Sequence, residues 1–219
     1  MRSTRVLVFA RSPEPGCAKT RLIPALGAQG AADLYALLLE YTLALVAEAN
    51  PPEVELWMDR EPVARTIIEA AGRLGAAVRI QPEGDLGWRM RHALERTLAE
   101  GALPILLGSD VPALTVGHLG DANRRLEAGA DAVLAPAEDG GYGLVAISRP
   151  LPEMFGDVPW GSSVVMAVTR QRLRAAGRRF EELDSVWDVD GPKDLARLDS
   201  IPALSDWRAR IGVDAADVS

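Results

Sequence analysis

Three cationic side chains, Arg11, Lys19 and Arg21, fall close together around Gly16 and Thr20 near the start of the chain. Guanidinium and ammonium groups on a loop loose enough to wrap oxygens are suited to holding a diphosphate. In a chain of net charge −7 that concentration of cations is informative, although solvated surface charge is the ordinary fate of a short basic group. Asp110, in Gly108-Ser109-Asp110-Val111-Pro112, offers a hard oxygen ligand of the kind Mg2+ or Mn2+ takes, and Pro112 stiffens its turn. Asp188-Val189-Asp190-Gly191-Pro192-Lys193-Asp194 supplies a second acidic turn from the other end of the chain. Carboxylates from both turns at one edge would make a divalent-metal site, the ion bridging phosphate oxygens. The bland reading of the late turn is helix initiation, with Asp190 as cap and Pro192 in the first turn; capping suits Asp190 and ligation Asp188.

Two further segments carry candidates. Glu138-Asp139-Gly140-Gly141-Tyr142 sets two acids and an aromatic ring beside glycines that permit close backbone approach to a ligand, or else it is a plain hairpin turn. Trp160-Gly161-Ser162-Ser163 has a ring that could line a sugar or base pocket or close the core, and serines that could cap the next helix. Gly161-Ser162-Ser163-Val164-Val165 lacks the closing glycine of a nucleophile elbow and has no histidine beside it, which argues against Ser-His-Asp hydrolysis. Residues 13–20 have the outline of a P-loop, with Pro13 and Ala18 standing where its glycines must turn around a phosphate. Cys17 is the only cysteine and excludes an internal disulfide; His92 and His118 have no zinc-type spacing.

Short apolar runs alternate with amphipathic stretches throughout, the mark of βα units and a mostly parallel sheet. Residues 5–10, 54–58, 77–80, 103–107, 132–135, 142–147 and 180–183 read as strands. Residues 31–49, 62–74, 88–100, 162–176 and 192–198 read as helices, with a turn over 83–87. The run 103–107 is continuously apolar, as a central strand covered on both faces should be, and it ends directly in the Asp110 turn. In open parallel sheets ligands collect outside the carboxyl ends of the strands, where these loops converge.

At 219 residues and 48% hydrophobic the chain can bury roughly 70% of its unfolded surface, so one domain spanning 1–219 is expected. The acidic balance argues against a nucleic-acid or anionic-membrane partner, which would need a basic face. The apolar run 6–10 is too short for a signal-peptide core or membrane span, so a cytoplasmic location is expected.

Phe9-Ala10-Arg11-Ser12-Pro13-Glu14-Pro15-Gly16-Cys17-Ala18-Lys19-Thr20-Arg21-Leu22, the Asp110 segment, Pro136-Ala137-Glu138-Asp139-Gly140-Gly141-Tyr142 and Asp188 to Leu195 together resemble a bacterial family of glycosyltransferases of GT-A fold. Some members of that family carry an arsenosugar-biosynthesis label; phospholactate guanylyltransferase and the molybdenum-cofactor nucleotidyltransferases belong to the same superfamily. The resemblance implies a Rossmann-like three-layer sandwich of the nucleotide-diphospho-sugar transferase type. It implies that Asp110 with Asp188 or Asp190 binds the metal, and that Lys19 and Arg21 face a diphosphate in the loop formed by Ala10, Arg11 and Gly16. Gly84-Asp85-Leu86-Gly87 followed by Arg89 looks like the family's nucleotide or acceptor loop. Glu138, Asp139, Gly140, Gly141, Tyr142, Trp160 and Ser162 would meet a small-molecule acceptor, with Glu138 or Asp139 as base. The chain has neither a Gly-Gly-x-Gly-x-Arg loop nor a D-x-D at Asp110, which leaves two reactions open: glycosyl transfer from a nucleotide sugar, or nucleotidyl transfer from an NTP. A catalytically silent nucleotide-binding regulator is a third reading.

Overall fold

The computed structural model describes residues 2–213; Met1 and 214–219, included in the expected domain, lie outside the described residues. Seven strands join one sheet: β1 Thr4–Ala10, β2 Glu53–Met58, β3 Ala77–Ile80, β4 Leu103–Gly108, β5 Ala132–Pro136, β6 Tyr142–Ile147 and β7 Phe180–Glu182. Their order is β3-β2-β1-β4-β6-β5-β7. All pairings are parallel except those of β6, which runs antiparallel to β4 and β5. The physical reason is length: the segment between β5 and β6 suffices for a hairpin, and a parallel return would need a crossover of a dozen residues or more.

The main helices are α1 Ile23–Ala49, α2 Arg65–Arg73, α3 Leu86–Ala99, α4 Val116–Glu127 and α5 Val165–Ala175, followed by the short α6 Pro192–Leu195 and α7 Trp207–Ile211. Side chains of β1 alternate between two buried clusters, Val6, Val8 and Ala10 on one face and Leu7 and Phe9 on the other, as a pleated strand demands. The first face is covered by α2, α4 and the second half of α1; the other by α3 and α5. Both faces of the sheet are thus layered with helix, the three-layer, Rossmann-like sandwich expected from the sequence. A third cluster sits outside the sandwich, where the first half of α1 packs on the C-terminal segment around the fully buried Trp207.

Several boundaries differ from the sequence reading. α1 begins at Ile23, eight residues before the expected start, and is kinked at Gly27, whose backbone (φ 70°, ψ 168°) is non-helical. α3 begins at Leu86 because the Asp85 carboxylate accepts the Trp88 N–H at 2.7 Å and caps it. α4 has no counterpart among the expected helices; it starts at a Thr115–His118 capping pair and buries Leu119, Ala122 and Leu126. α5 starts at Val165 with no side-chain cap, and the Ser162 hydroxyl donates instead to the Pro159 carbonyl at 2.6 Å. The late helix ends at Leu195 and continues as a 3-10 turn, Ala196–Ser200. By length and composition Thr20–Ala49 could cross a membrane. Here its apolar residues are shared between the sheet-facing core and the C-terminal cluster, and burial on two sides accounts for the scarcity of charge.

Candidate active site

A cleft of about 830 Å³ opens along the carboxyl ends of β1, β2, β3 and β4 and beside the β5–β6 hairpin, the edge where an α/β sheet exposes its loops. Its centre is the end of β4. Ser109 is buried there and shares a 2.6 Å hydrogen bond with the Tyr35 hydroxyl of α1, which also accepts the Arg11 N–H at 2.7 Å. Tyr35 therefore ties the loop after β1 to the loop after β4. Burial, and then the nearby Asp110 charge, push the Tyr35 pKa upward, so it remains a neutral strut. Tyr35→Phe should lower the unfolding free energy by about 1–3 kcal/mol, because the Arg11 amide and Ser109 lose a buried partner; denaturant titration of the two proteins measures it.

The late acidic turn reaches the same place through the backbone. Val186 donates to the Pro136 carbonyl at 2.8 Å and accepts from the Glu138 N–H at 3.0 Å, so the segment runs on beside the end of β5. Val189 then donates to the Asp110 carbonyl at 3.1 Å. This brings Asp188 and Asp190 to either side of Asp110 across nearly eighty intervening positions.

Lys19 projects into the carboxylates from the other side. Its backbone is left-handed, φ 50°, an unusual state for a residue with a side chain. Its ammonium stands 2.6 Å from Asp110 Oδ2 and 4.0 Å from Asp190 Oδ1, with the side chain only 6% exposed. Arg21 pairs with the second oxygen of Asp190. Between Gly16 and α1 the chain makes a separate 3-10 turn, Thr20–Leu22, so the strand–loop–helix wrap of a P-loop is not formed.

Asp188 has no hydrogen bond or ion pair of its own among the described residues. Burial, reinforced by the charges of Asp110, Asp139 and Asp190, pushes its pKa up to about 6. A carboxyl group that holds its proton more tightly folded than unfolded contributes stability below about pH 4, and that contribution is lost as pH rises through about 6. Asp188→Asn should accordingly gain in melting temperature relative to wild type as pH is raised from about 4 to about 7 in metal-free buffer; a difference that is flat with pH would remove the like-charge cluster from the account.

No three His, Cys, Asp or Glu side chains among the described residues stand close enough to cage an ion unaided. The donor set instead suits an open magnesium- or manganese-type site, which takes one or two carboxylates from protein and its remaining ligands from phosphate and water. The unpartnered Asp188 beside Asp110 is the chemistry such a cation would relieve. Asp190 is already engaged by Arg21 and Lys19, and helix capping, which the sequence offered for it, falls elsewhere: Gly191 precedes α6, and the Asp194 carboxylate accepts the Asp190 and Gly191 N–H groups at 3.1 and 2.9 Å.

Most of the other sequence candidates line the cleft. Ala10, Arg11, Gly84, Asp85 and Arg89 lie on the β1–β3 side, where Arg89 Nε donates to the Gly84 carbonyl at 2.8 Å. Asp139, Gly141, Tyr142, Trp160 and Ser162 lie on the other side. Asp139 Oδ1 accepts the Gly141 N–H at 2.8 Å, which fixes the carboxylate and leaves its second oxygen free.

Four candidates are placed elsewhere. Glu138 is off the cleft: both its oxygens take Arg197 N–H groups at 2.8 Å, and this pairing holds its carboxyl below the usual range. Gly16 is not among the lining residues, and Gly140 lies behind the hairpin, accepting the Met166 N–H of α5. Gly87 lies beneath Trp160, whose indole occupies the position a side chain there would take. Asp59, Arg60 and Gln81 line the cleft and are absent from the sequence candidates. Each follows the end of β2 or β3, the one signal that could have found them. Gln81 donates to the Ala10 and Trp57 carbonyls at 3.2 and 2.9 Å, and Asp59 accepts the Ser12 N–H at 2.7 Å.

A family model described as uncharacterized protein conserved in bacteria, DUF2064, matches residues 42–162, more than half of the chain. The chain belongs to the DUF2064 family. The match takes in Asp110 and the β5–β6 hairpin, and its bounds leave the Lys19 and Asp188 segments outside. No curated protein matches the sequence. Among solved structures, this DUF2064 chain is similar to a protein of Desulfovibrio desulfuricans G20 assigned provisionally as a nucleotide-diphospho-sugar transferase: 27% identity, TM-score 0.82, over 97% of this chain and 98% of that one. It is similar in fold to a cytidylyltransferase of Leptospira borgpetersenii, at 14% identity and TM-score 0.59 over 90% and 86% of the two chains. It is similar in fold also to glucosyl-3-phosphoglycerate synthase of Mycobacterium tuberculosis, solved with Mn2+, UDP and glucosyl-3-phosphoglycerate, at 13% identity and TM-score 0.54 over 98% and 82%. The family and these neighbours agree with the resemblance drawn from the motifs, and the DUF2064 fold is that of the nucleotide-diphospho-sugar transferases.

Proposed function

We propose that this protein is a metal-dependent glycosyltransferase, a single catalytic domain that moves a sugar from a nucleotide diphosphate to a small hydroxyl-bearing acceptor. The observation that carries the reading is that Asp110, Asp188 and Asp190 line one end of the cleft with Lys19 and Arg21, the late turn being tied to the β4 loop by the Val189 to Asp110 hydrogen bond. A mixed set of carboxylates and cations at a strand end fits a diphosphate bridged to a divalent ion. The manganese and UDP bound by the glucosyl-3-phosphoglycerate synthase, and the provisional assignment of the Desulfovibrio protein, support the same class.

Asp110 and Asp188 would hold Mg2+ or Mn2+, with Asp190 beside them paired to Arg21 until a diphosphate is bound. Bound there, the ion supplies positive charge to the diphosphate as it leaves. Lys19 and Arg21 exchange their carboxylate partners for phosphate oxygens and stabilise the same developing charge. In the transfer the sugar C1–O bond to the diphosphate breaks, its electron pair leaving with the diphosphate, and a bond forms from C1 to the acceptor oxygen. The acceptor proton passes to Asp139, whose free oxygen is held in place by the Gly141 N–H on the other.

The alternative is nucleotidyl transfer, which the Leptospira cytidylyltransferase represents on the same fold. Incubation with Mg2+ or Mn2+ and either UDP- and GDP-sugars or NTPs separates the two. Metal-dependent release of a nucleoside diphosphate is expected; pyrophosphate release from an NTP without it would reject glycosyl transfer. A thermal-shift screen of the same compounds chooses the donor first, since a ligand at 100 times its Kd adds about 2.7 kcal/mol.

A further inference from the structure

We infer that the acceptor is uncharged, a carbohydrate or polyol with hydroxyls on one side and C–H bonds on the other, and not a phosphate- or carboxylate-bearing compound; this rests on the transferase reading above. The cleft is divided by charge. Its lining cations, Arg11, Lys19, Arg21, Arg60 and Arg89, all come from the loops after β1 and β2 or from the first turn of α3. Arg60 is held by Asp59 at 3.0 Å and Arg89 by the Gly84 carbonyl, which keeps both on that side.

Beyond Asp110 the lining residues include Asp139 and Asp188 and, among the described residues, no lysine or arginine. Arg197, which follows the late acidic turn, is bound through both terminal guanidinium nitrogens to Glu138 and stacked 4.2 Å over Trp187, off the cleft. Apart from the divalent ion that Asp110 and Asp188 would hold for the donor diphosphate, an anionic group brought against this wall would meet the Asp139 carboxylate and find no lysine or arginine. Like-charge juxtaposition of that kind is unfavourable and rejects the wrong partner.

What the wall does offer is suited to a sugar. Trp160 presents an indole edge-on to Tyr142, with ring centroids 6.3 Å apart, and it is braced by Gly87 and by Phe155 at 6.5 Å. The 45% exposed Leu86, at the start of α3, adds apolar surface to the cleft. The Tyr142 hydroxyl is buried without a hydrogen-bond partner among the described residues, a donor and acceptor for a hydroxyl group. Asp139, also lining the cleft, contributes an acceptor oxygen. A flat apolar platform with carboxylate and hydroxyl groups around it recognises neutral rings by their C–H face and their O–H groups. The same lack of cations weighs against nucleotidyl transfer to a phosphorylated second substrate.

The test pairs neutral and anionic versions of one compound: glucose with glucose 6-phosphate, methyl glucoside with methyl glucuronoside, glycerol with glycerol 3-phosphate. Saturation-transfer NMR on the full chain with Mg2+ and UDP or GDP reads binding, and nucleoside diphosphate release above donor hydrolysis reads transfer. The neutral member of at least one carbohydrate pair is expected to bind and stimulate release, with its anionic partner at least about tenfold weaker. An equal or stronger response to the anionic member overturns the inference, and so does failure of every neutral compound to bind. The NMR arm needs no turnover, so pyrophosphate release from an NTP would sink the glycosyl reading while the charge preference is still decided.

Discussion

Asp110→Asn is expected to reduce turnover at least about 100-fold while leaving the protein folded. The isosteric side chain keeps the shape of the loop after β4, and the bond that holds the late turn uses the Asp110 main-chain carbonyl, which the substitution does not touch. What disappears is charge. Lys19, with a side chain 6% exposed, loses the partner 2.6 Å from its ammonium, and Asp188 loses the second-largest influence holding its proton in place. These changes oppose one another in stability, because a buried cation left with only the more distant Asp190 is unfavourable and relief of like charges around Asp188 is favourable. A small change in the unfolding curve beside a large loss in nucleoside diphosphate release is the expected pair of results. Wild-type turnover from the variant would mean that the charge at the end of β4 takes no part in the chemistry; nucleotide binding with no turnover from either protein is what the silent regulator would give.

Gly140→Ala should destabilise the fold by about 2–5 kcal/mol. Gly140 has φ +92°, outside the range an alanine adopts without strain, and a Cβ built there would overlap the main-chain carbonyl of Ser163. Main chain cannot rotate aside as a long side chain could. The close approach exists because the Gly140 carbonyl accepts the Met166 N–H at 2.8 Å, which joins the β5–β6 hairpin to the start of α5. Separating them moves Asp139 and Gly141 on one side and Trp160 and Ser162 on the other, so acceptor use should suffer more than donor binding. Thermal melts measure the first effect, at about 2–4 °C per kcal/mol for a chain of this size. A nucleotide thermal shift preserved beside a raised acceptor KM measures the second. An unchanged melting temperature would show that the hairpin and α5 can part without cost.

The layered α/β fold and the edge on which the site lies were legible in the amino-acid order. The reason is local: β1 and β4 are continuous apolar runs that require burial on both faces, and each leads straight into the loop carrying Lys19 or Asp110. Proline and glycine at the strand ends left those loops no regular alternative. α4 was legible in principle through the spacing of Leu119, Ala122 and Leu126, and was hidden by two glycines and a run of polar residues. What each acid contacts emerged from the three-dimensional packing alone. Asp188 and Asp190 are two positions apart and alike in type, yet one is partly buried with no ion-pair partner among the described residues and the other is engaged by Lys19 and Arg21. Glu138 and Asp139 are adjacent, yet Arg197 draws one away from the cleft while the Gly141 N–H fixes the other within it. Neighbours in sequence point to opposite sides of a turn, and Lys19 and Arg197 reach the acids they claim from segments dozens of residues away; spacing along the chain carries no record of that contact.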